Sequence, residues 1–128
     1  KTVSDQYGKF SFFKVVAGTV RGDMALTNAR TGQPEKMGHL YYVCGKKHID
    51  TTEVSLGDIG AVSKLTATKT GDTLAAAARV VTLDGIEFPK PNYSLAIMPK
   101  IKGGEEKIAA GLAGRAVEDL TFSAHNDN

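Results

Sequence analysis

Between Phe10 and Gly22 the sequence FSFFKVVAGTVRG places apolar side chains on both alternating sets of positions. Phe10, Phe12, Lys14 and Val16 fall on one face of an extended chain, and Ser11, Phe13, Val15 and Ala17 on the other. The pattern predicts a strand covered on two sides, with aromatic and β-branched residues suited to a pleated, packed surface. Gly18 marks a bulge or bend, and Val20-Arg21-Gly22-Asp23 is a tight turn in which Gly22 is expected at the position of positive φ. A second strand, Met24 to Asn28, follows and is expected to fold back on the first, as the opening hairpin of a small closed barrel.

Further short strands follow at turn spacings. Asp5-Gln6-Tyr7-Gly8 is a turn by composition, as is Ala29-Arg30-Thr31-Gly32-Gln33-Pro34, where Gly32 suits the left-handed position. Lys36 to Cys44 is expected as a strand in which Leu40, Tyr42 and Cys44 alternate with His39, Tyr41 and Val43, neither set being polar. Gly45-Lys46-Lys47-His48 is a basic loop tip. Strands are expected at Thr51 to Val54 and Ile59 to Leu65, with turns at Leu56-Gly57-Asp58 and Thr70-Gly71-Asp72-Thr73-Leu74. Alanines 75 to 78 are too few to nucleate a helix and are expected as loop or a single turn. Glycines inside strands favour a barrel over a sandwich, because sharp curvature needs them.

The composition changes at Phe88. Phe88-Pro89-Lys90-Pro91 is a stiff connector, Tyr93 to Ile97 a strand, and Glu105 to about Val117 a helix with acidic residues at its positive end. Ile108, Ala109, Leu112 and Ala116 line one face of that helix. One strand and one helix cannot bury that face, so residues 88 to 128 are expected to be the opening of an unfinished unit, and residues 1 to 87 the barrel. With its opening KTVSDQYG, the chain is expected to be part of a larger protein.

A 128-residue chain with net charge +2 is not basic enough for its composition to prove a nucleic-acid partner. Its single cysteine, Cys44, excludes an internal disulfide and fits a reducing, cytoplasmic compartment. No apolar run approaches the roughly 20 residues that span a bilayer. His39, Cys44 and His48 fall short of the four ligands of a structural zinc site and are expected as a core cysteine with surface histidines. Strand alternation also sets Cys44 and His39 on opposite faces, which disfavours a nucleophile pair. Asp58 and Asp72 sit in turns, where aspartate bonds its own backbone. What remains is a loop-borne basic set, Arg21, Arg30, Lys36, Lys46, Lys47 and His48, carried on a rigid scaffold.

Three stretches together resemble domain II of translation elongation factor G and its paralogues among the ribosome-dependent GTPases: GKFSFFKVVAGTVRGD at 8 to 23, LGDIGAVSKLTATKTGDTL at 56 to 74, and FPKPNYSLAIMPK at 88 to 100. KGGEEKIAAGLAGRAVEDLTF at 102 to 122 is similar to the first helix of the family's domain III, a split β-α-β, ferredoxin-like unit. Met98 stands where an acidic residue is common, and Leu120 where a proline is. GHLYYVCGKKHIDTTEV at 38 to 54 is closer to the elongation factor G-like paralogues than to the housekeeping factor. The resemblance implies a mainly β chain: a closed domain II barrel lacking part of its first strand, then the start of domain III. It implies no catalysis by the chain itself, which lacks GxxxxGK[ST]; GTP or GDP and magnesium would belong to a G domain of the parent protein. The implied partners are the small ribosomal subunit with its 16S ribosomal RNA, and in the parent the G domain and the rest of domain III, with no membrane and no DNA. A tetracycline-resistance ribosomal protection protein shares this architecture, and a spacer barrel with no RNA contact of its own is the remaining alternative. The six basic residues are the candidate RNA contacts, since structured RNA is met largely through phosphates.

Overall fold

The computed structural model describes residues 1–5 and 8–126. Its elements are β1 (Thr2–Asp5), β2 (Gly8–Lys14), β3 (Thr19–Arg21), β4 (Ala25–Asn28), β5 (Pro34–Lys36), β6 (Leu40–Cys44), β7 (Lys47–Thr51), β8 (Glu53–Ser55), β9 (Ile59–Ser63), β10 (Leu74–Ala75) and α1 (Glu105–Glu118). The chain divides into two units, Lys1–Gly85 and Ile86–Asn128.

Every strand of the first unit pairs antiparallel. Hydrogen bonding among the described residues makes three sheets, in the orders β1-β2-β9-β6-β7, β10-β4-β5 and β3-β8. The fold is mainly β, as expected, with its strands in three hydrogen-bonded sheets that something besides one ladder must unite. A shared core does so: Val15, Leu26, Met37, Leu40, Val54, Val62 and Leu65 pack together, with Phe13, Val20, Tyr42 and Leu74 against them. All three sheets contribute to this cluster, so the apolar faces hold together sheets that no hydrogen-bond ladder joins.

The opening hairpin is also corrected. β2 pairs with β1 and with β9, far along the chain, while β4 pairs with β5 and β10. The intervening bend at Gly18, where φ is 73°, turns the chain into β3 and away from β2. In the next turn Asp23 and not Gly22 takes the left-handed conformation, at φ 62°, which aspartate tolerates better than most residues. Gly32 does occupy its expected left-handed position, at φ 70°. The run from Lys36 to Cys44 is split, because Met37–His39 leave the sheet between β5 and β6, and Met37 turns into the core. The strand expected from Thr51 is replaced by β7 and β8, which meet at Thr51–Glu53. Gln6 and Tyr7, on which the first expected turn depends, lie outside the described residues.

Gly60 shows why a strand glycine is needed here. It sits opposite Phe13, and a Cβ at this position would lie 2.8 Å from Phe13 Cζ and 2.8 Å from a methyl of fully buried Val54.

In the second unit α1 forms as predicted, with Glu105 and Glu106 in its first turn and Arg115 in its last, each charge matching the helix dipole. Ile108, Leu112 and Ala116 are half-buried, whereas Ala109 is exposed. Asp119 stops the helix: its carboxylate accepts from the N–H and hydroxyl of Thr121 at 2.9 and 2.6 Å. No strand forms over Tyr93–Ile97 among the described residues. Tyr93, Leu95 and Ile97 keep a strand's alternation, but an extended segment becomes a strand only when a neighbour pairs with its backbone.

Two glycine substitutions are therefore expected to have opposite signs. Gly60→Ala overpacks the core and lowers stability by about 1–3 kcal/mol in urea unfolding. Gly111→Ala meets nothing within 4 Å and raises the local stability of α1 by about 0.5–1 kcal/mol, measured by amide hydrogen exchange.

Candidate nucleic-acid interface

The six basic candidates separate into two groups by what their charges face. Arg30 is the most constrained: its Nε donates to Asp72 Oδ1 at 2.7 Å, and one terminal nitrogen to Asp72 Oδ2 at 2.8 Å and the Ala67 carbonyl at 3.2 Å. This is a two-pronged guanidinium–carboxylate pair, the strong form of charge-assisted bonding. Asp72 also accepts from the Asn28 amide at 2.9 Å and from the Lys69 N–H at 2.9 Å. The Arg30 hydrogen bonds, helped by those from Asn28 and Lys69, outweigh burial and hold the Asp72 carboxyl far below its ordinary range. The same pair raises Arg30. Arg30 is thereby part of the scaffold.

Arg21 and Lys36 lie on the surface. Arg21 Nε reaches Glu53 across the β3–β8 pair at 3.2 Å, and Lys36 Nζ reaches Asp23 at 2.9 Å, just ahead of the β4–β5 pair. Both pairs are well exposed, so each contributes little to stability, but each cation already has a counter-charge. The hydrogen bond from Lys36 lowers the Asp23 carboxyl.

Lys46 and Lys47 differ. Strand β6 ends at Cys44, β7 begins at Lys47, and Gly45 and Lys46 form the two-residue connection between them. Gly45 has φ 61°, as the first central position of a II′ hairpin turn requires. Neither lysine has a carboxylate partner among the described residues. Cys44, expected in the core, is instead exposed at this hairpin end, because β6 runs out past the core before it turns.

His48 is the candidate whose surroundings the sequence hid. Its ring stacks on Phe10, with centroids 4.8 Å apart and planes 19° from parallel, and Tyr41 meets both rings edge-on at 5.7 and 6.0 Å. His39 adds a tilted contact to Tyr41 at 6.1 Å. Strand alternation put His39, Tyr41 and Val43 on one face, but only the order β2-β9-β6-β7 brings Phe10 onto that face beside them.

A second polar feature was also missed. Glu35 on β5 is buried, 4% exposed, and faces the segment that follows β9. Its Oε1 accepts from the N–H groups of Ala67 and Thr68 at 2.7 and 2.8 Å and from the Thr68 hydroxyl at 2.9 Å; Oε2 accepts from Thr66 N–H at 3.2 Å and the Thr66 hydroxyl at 3.4 Å. Burial pushes its pKa up, but these donors pull it further down, below its ordinary value.

The family description "Elongation factor G domain 2" matches residues 2–77, more than half of the chain. The chain belongs to this elongation factor G domain 2 family. A protein of Thermus thermophilus whose crystal structure is known has the same fold, with a TM-score of 0.80 at 20% sequence identity over 98% of the chain. The chain spans about a fifth of that protein's length, 19%. The match to domain 2 covers β1 to β10 and all six basic candidates. No helix among the described residues is long and apolar enough to cross a membrane.

The carboxylate network of this domain 2 sets an acid-side sign. Glu35 and Asp72 have folded pKa values below their ordinary 4.5 and 3.8, so the unfolded chain takes up protons first as pH falls. Their stabilisation is complete above the ordinary values and is lost as pH drops through them toward the lower folded ones. Glu35→Gln places an NH2 or a weaker acceptor against five donors. It is expected to cost about 1–3 kcal/mol at pH 7 and to flatten the loss of stability below pH 5, both read from urea midpoints across pH.

Proposed function

We propose that this domain 2 chain is a non-catalytic segment of a ribosome-dependent translational GTPase of the elongation factor G-like kind. Its β unit docks on the small ribosomal subunit against phosphates of 16S ribosomal RNA. In this reading the nucleotide, its magnesium and the hydrolytic chemistry belong to a G domain elsewhere in the parent protein, which works in the cytoplasm. Closure of the three sheets into one barrel, and completion of the Ile86–Asn128 unit as a split β-α-β domain, are part of the same proposal.

The observation that carries the docking surface is the distribution of counter-charges. Arg21, Arg30 and Lys36 are each held by a carboxylate, whereas Lys46 and Lys47 project from a hairpin end with none among the described residues. A cation that must leave a carboxylate to meet a phosphate gains less than one that leaves only water and mobile counterions. The β6–β7 hairpin is therefore the first contact, with Arg21 and Lys36 secondary and Arg30 a scaffold residue.

Binding of the chain to small ribosomal subunits is expected to weaken with salt. Lys46→Ala and Lys47→Ala should each lower the log–log salt slope by roughly 0.7 to 0.9, the share of one neutralised phosphate. Arg30→Ala should lower stability and leave that slope unchanged. Equal slopes for wild type and the double lysine variant would remove the hairpin from the interface, and undetectable binding would favour a spacer role.

A further inference from the structure

The outer face of the five-stranded sheet, opposite the core, is not the polar surface that an antiparallel sheet usually turns to water. Phe10, Phe12, Tyr41 and His48 lie on it, and His39 borders it just before β6. Ala61 of β9 is their floor. It pairs with both Phe12 and Tyr41, is completely buried, and its small side chain leaves room between the two strands that carry the rings. The ring cluster runs from buried Phe10, through half-buried Tyr41, to exposed His39. The Tyr41 hydroxyl has no hydrogen-bond partner among the described residues, whereas that of Tyr42, on the core side of the same strand, donates to Asp58 at 3.1 Å.

We infer that Tyr41 and His39 form a stacking platform for an unpaired RNA base, adjoining the phosphate contacts of Lys46 and Lys47. The inference rests on the proposed RNA partner and adds to it the kind of RNA that is met: a single-stranded or looped nucleotide, not a duplex backbone. Three features favour this occupant. The open end of the cluster is exposed His39 beside half-buried Tyr41, and every base has a π-face that such rings accept whatever its identity. Tyr41 lies three residues from the hairpin end, about 10 Å along the strand, so a nucleotide stacked there keeps a neighbouring phosphate within reach of Lys46 in the connection, while Lys47, paired with Cys44, starts from the opposite face. Asp50 pairs with Tyr41 on the same face, out on the edge strand β7, and its carboxylate repels a phosphate from that edge, which leaves the hairpin end as the side where the backbone can run. A duplex, whose bases are already stacked, gains nothing from the platform.

The test uses the 128-residue chain with a short single-stranded RNA containing 2-aminopurine and with its blunt duplex, followed by fluorescence anisotropy and base quenching. The expected result is tighter binding of the single strand, with quenching at saturation. Tyr41→Ala should weaken it roughly five- to a hundred-fold, in line with the loss of one stacked base, without changing the salt slope. Tyr41→Phe should restore it. His39→Ala guards against misfolding, because His39 is exposed and outside the core, and it should weaken single-strand binding in the same direction. If single strand and duplex bind alike, with a salt slope that depends on Lys46 and Lys47 and no effect of Tyr41→Ala or His39→Ala, the platform is overturned and the docking hairpin stands. If no RNA binds at all, both fall.

Discussion

A carboxylate that is buried and still charged needs donors, and the first unit supplies them to Glu35 from consecutive residues of one segment. The three backbone N–H groups of Thr66, Ala67 and Thr68 and two threonine hydroxyls converge on it. Without them the burial of Glu35 would cost several kcal/mol; with them the side chain fastens the chain leaving β9 to the edge of β5. That fastening matters because β9 belongs to one sheet and β5 to another, and no ladder hydrogen bonds join these two sheets. Next to it, Asn28, Arg30, Thr68 and Asp72 extend the network to the chain entering β10. The core supplies most of the favourable free energy, and the carboxylates select which segment lies where.

The same network shows how charge is shared between structure and surface. Arg30 looks on its sequence like any other turn cation, yet both prongs of its guanidinium are committed to one carboxylate and its reach extends to the Ala67 carbonyl. Arg21 and Lys36 hold looser, exposed partners. At the β6–β7 hairpin positive charge stands without a counter-charge among the described residues, and there the strands run past the core. A surface that meets an anion gains from such unspent charge, so the hairpin and the rings beside it form one continuous candidate face.

The second unit is built differently. Tyr93 and Met98 are 79% and 87% exposed, values that a packed strand would not show, and α1 contains no fully buried residue. Its helix stands on local terms: acidic residues at the start, Arg115 at the end, and an aspartate that stops it. Local terms of this size shape a helix without giving it a core.

Much of this was legible in order of sequence. Alternation in β2, the bends at Gly18 and Gly32 and the limits of α1 all follow from side-chain period, turn chemistry and capping, which are properties of neighbours along the chain. The family resemblance likewise rested on contiguous stretches, and the match to domain 2 agrees with it. Pairing was not legible in that way. The partner of β2 is β9, the counter-charge of Arg30 is 42 residues away at Asp72, and the donors to Glu35 lie 31 to 33 residues on. The sequence alone determined the extended, turning and helical tendencies of most segments, since those depend on each residue and its near neighbours, though among the described residues Tyr93–Ile97 stays unpaired and the run from Lys36 to Cys44 is split. Only the tertiary structure decided which strands meet, which cations are already neutralised and which rings share a face, because proximity between distant segments is set by the packing of the whole core.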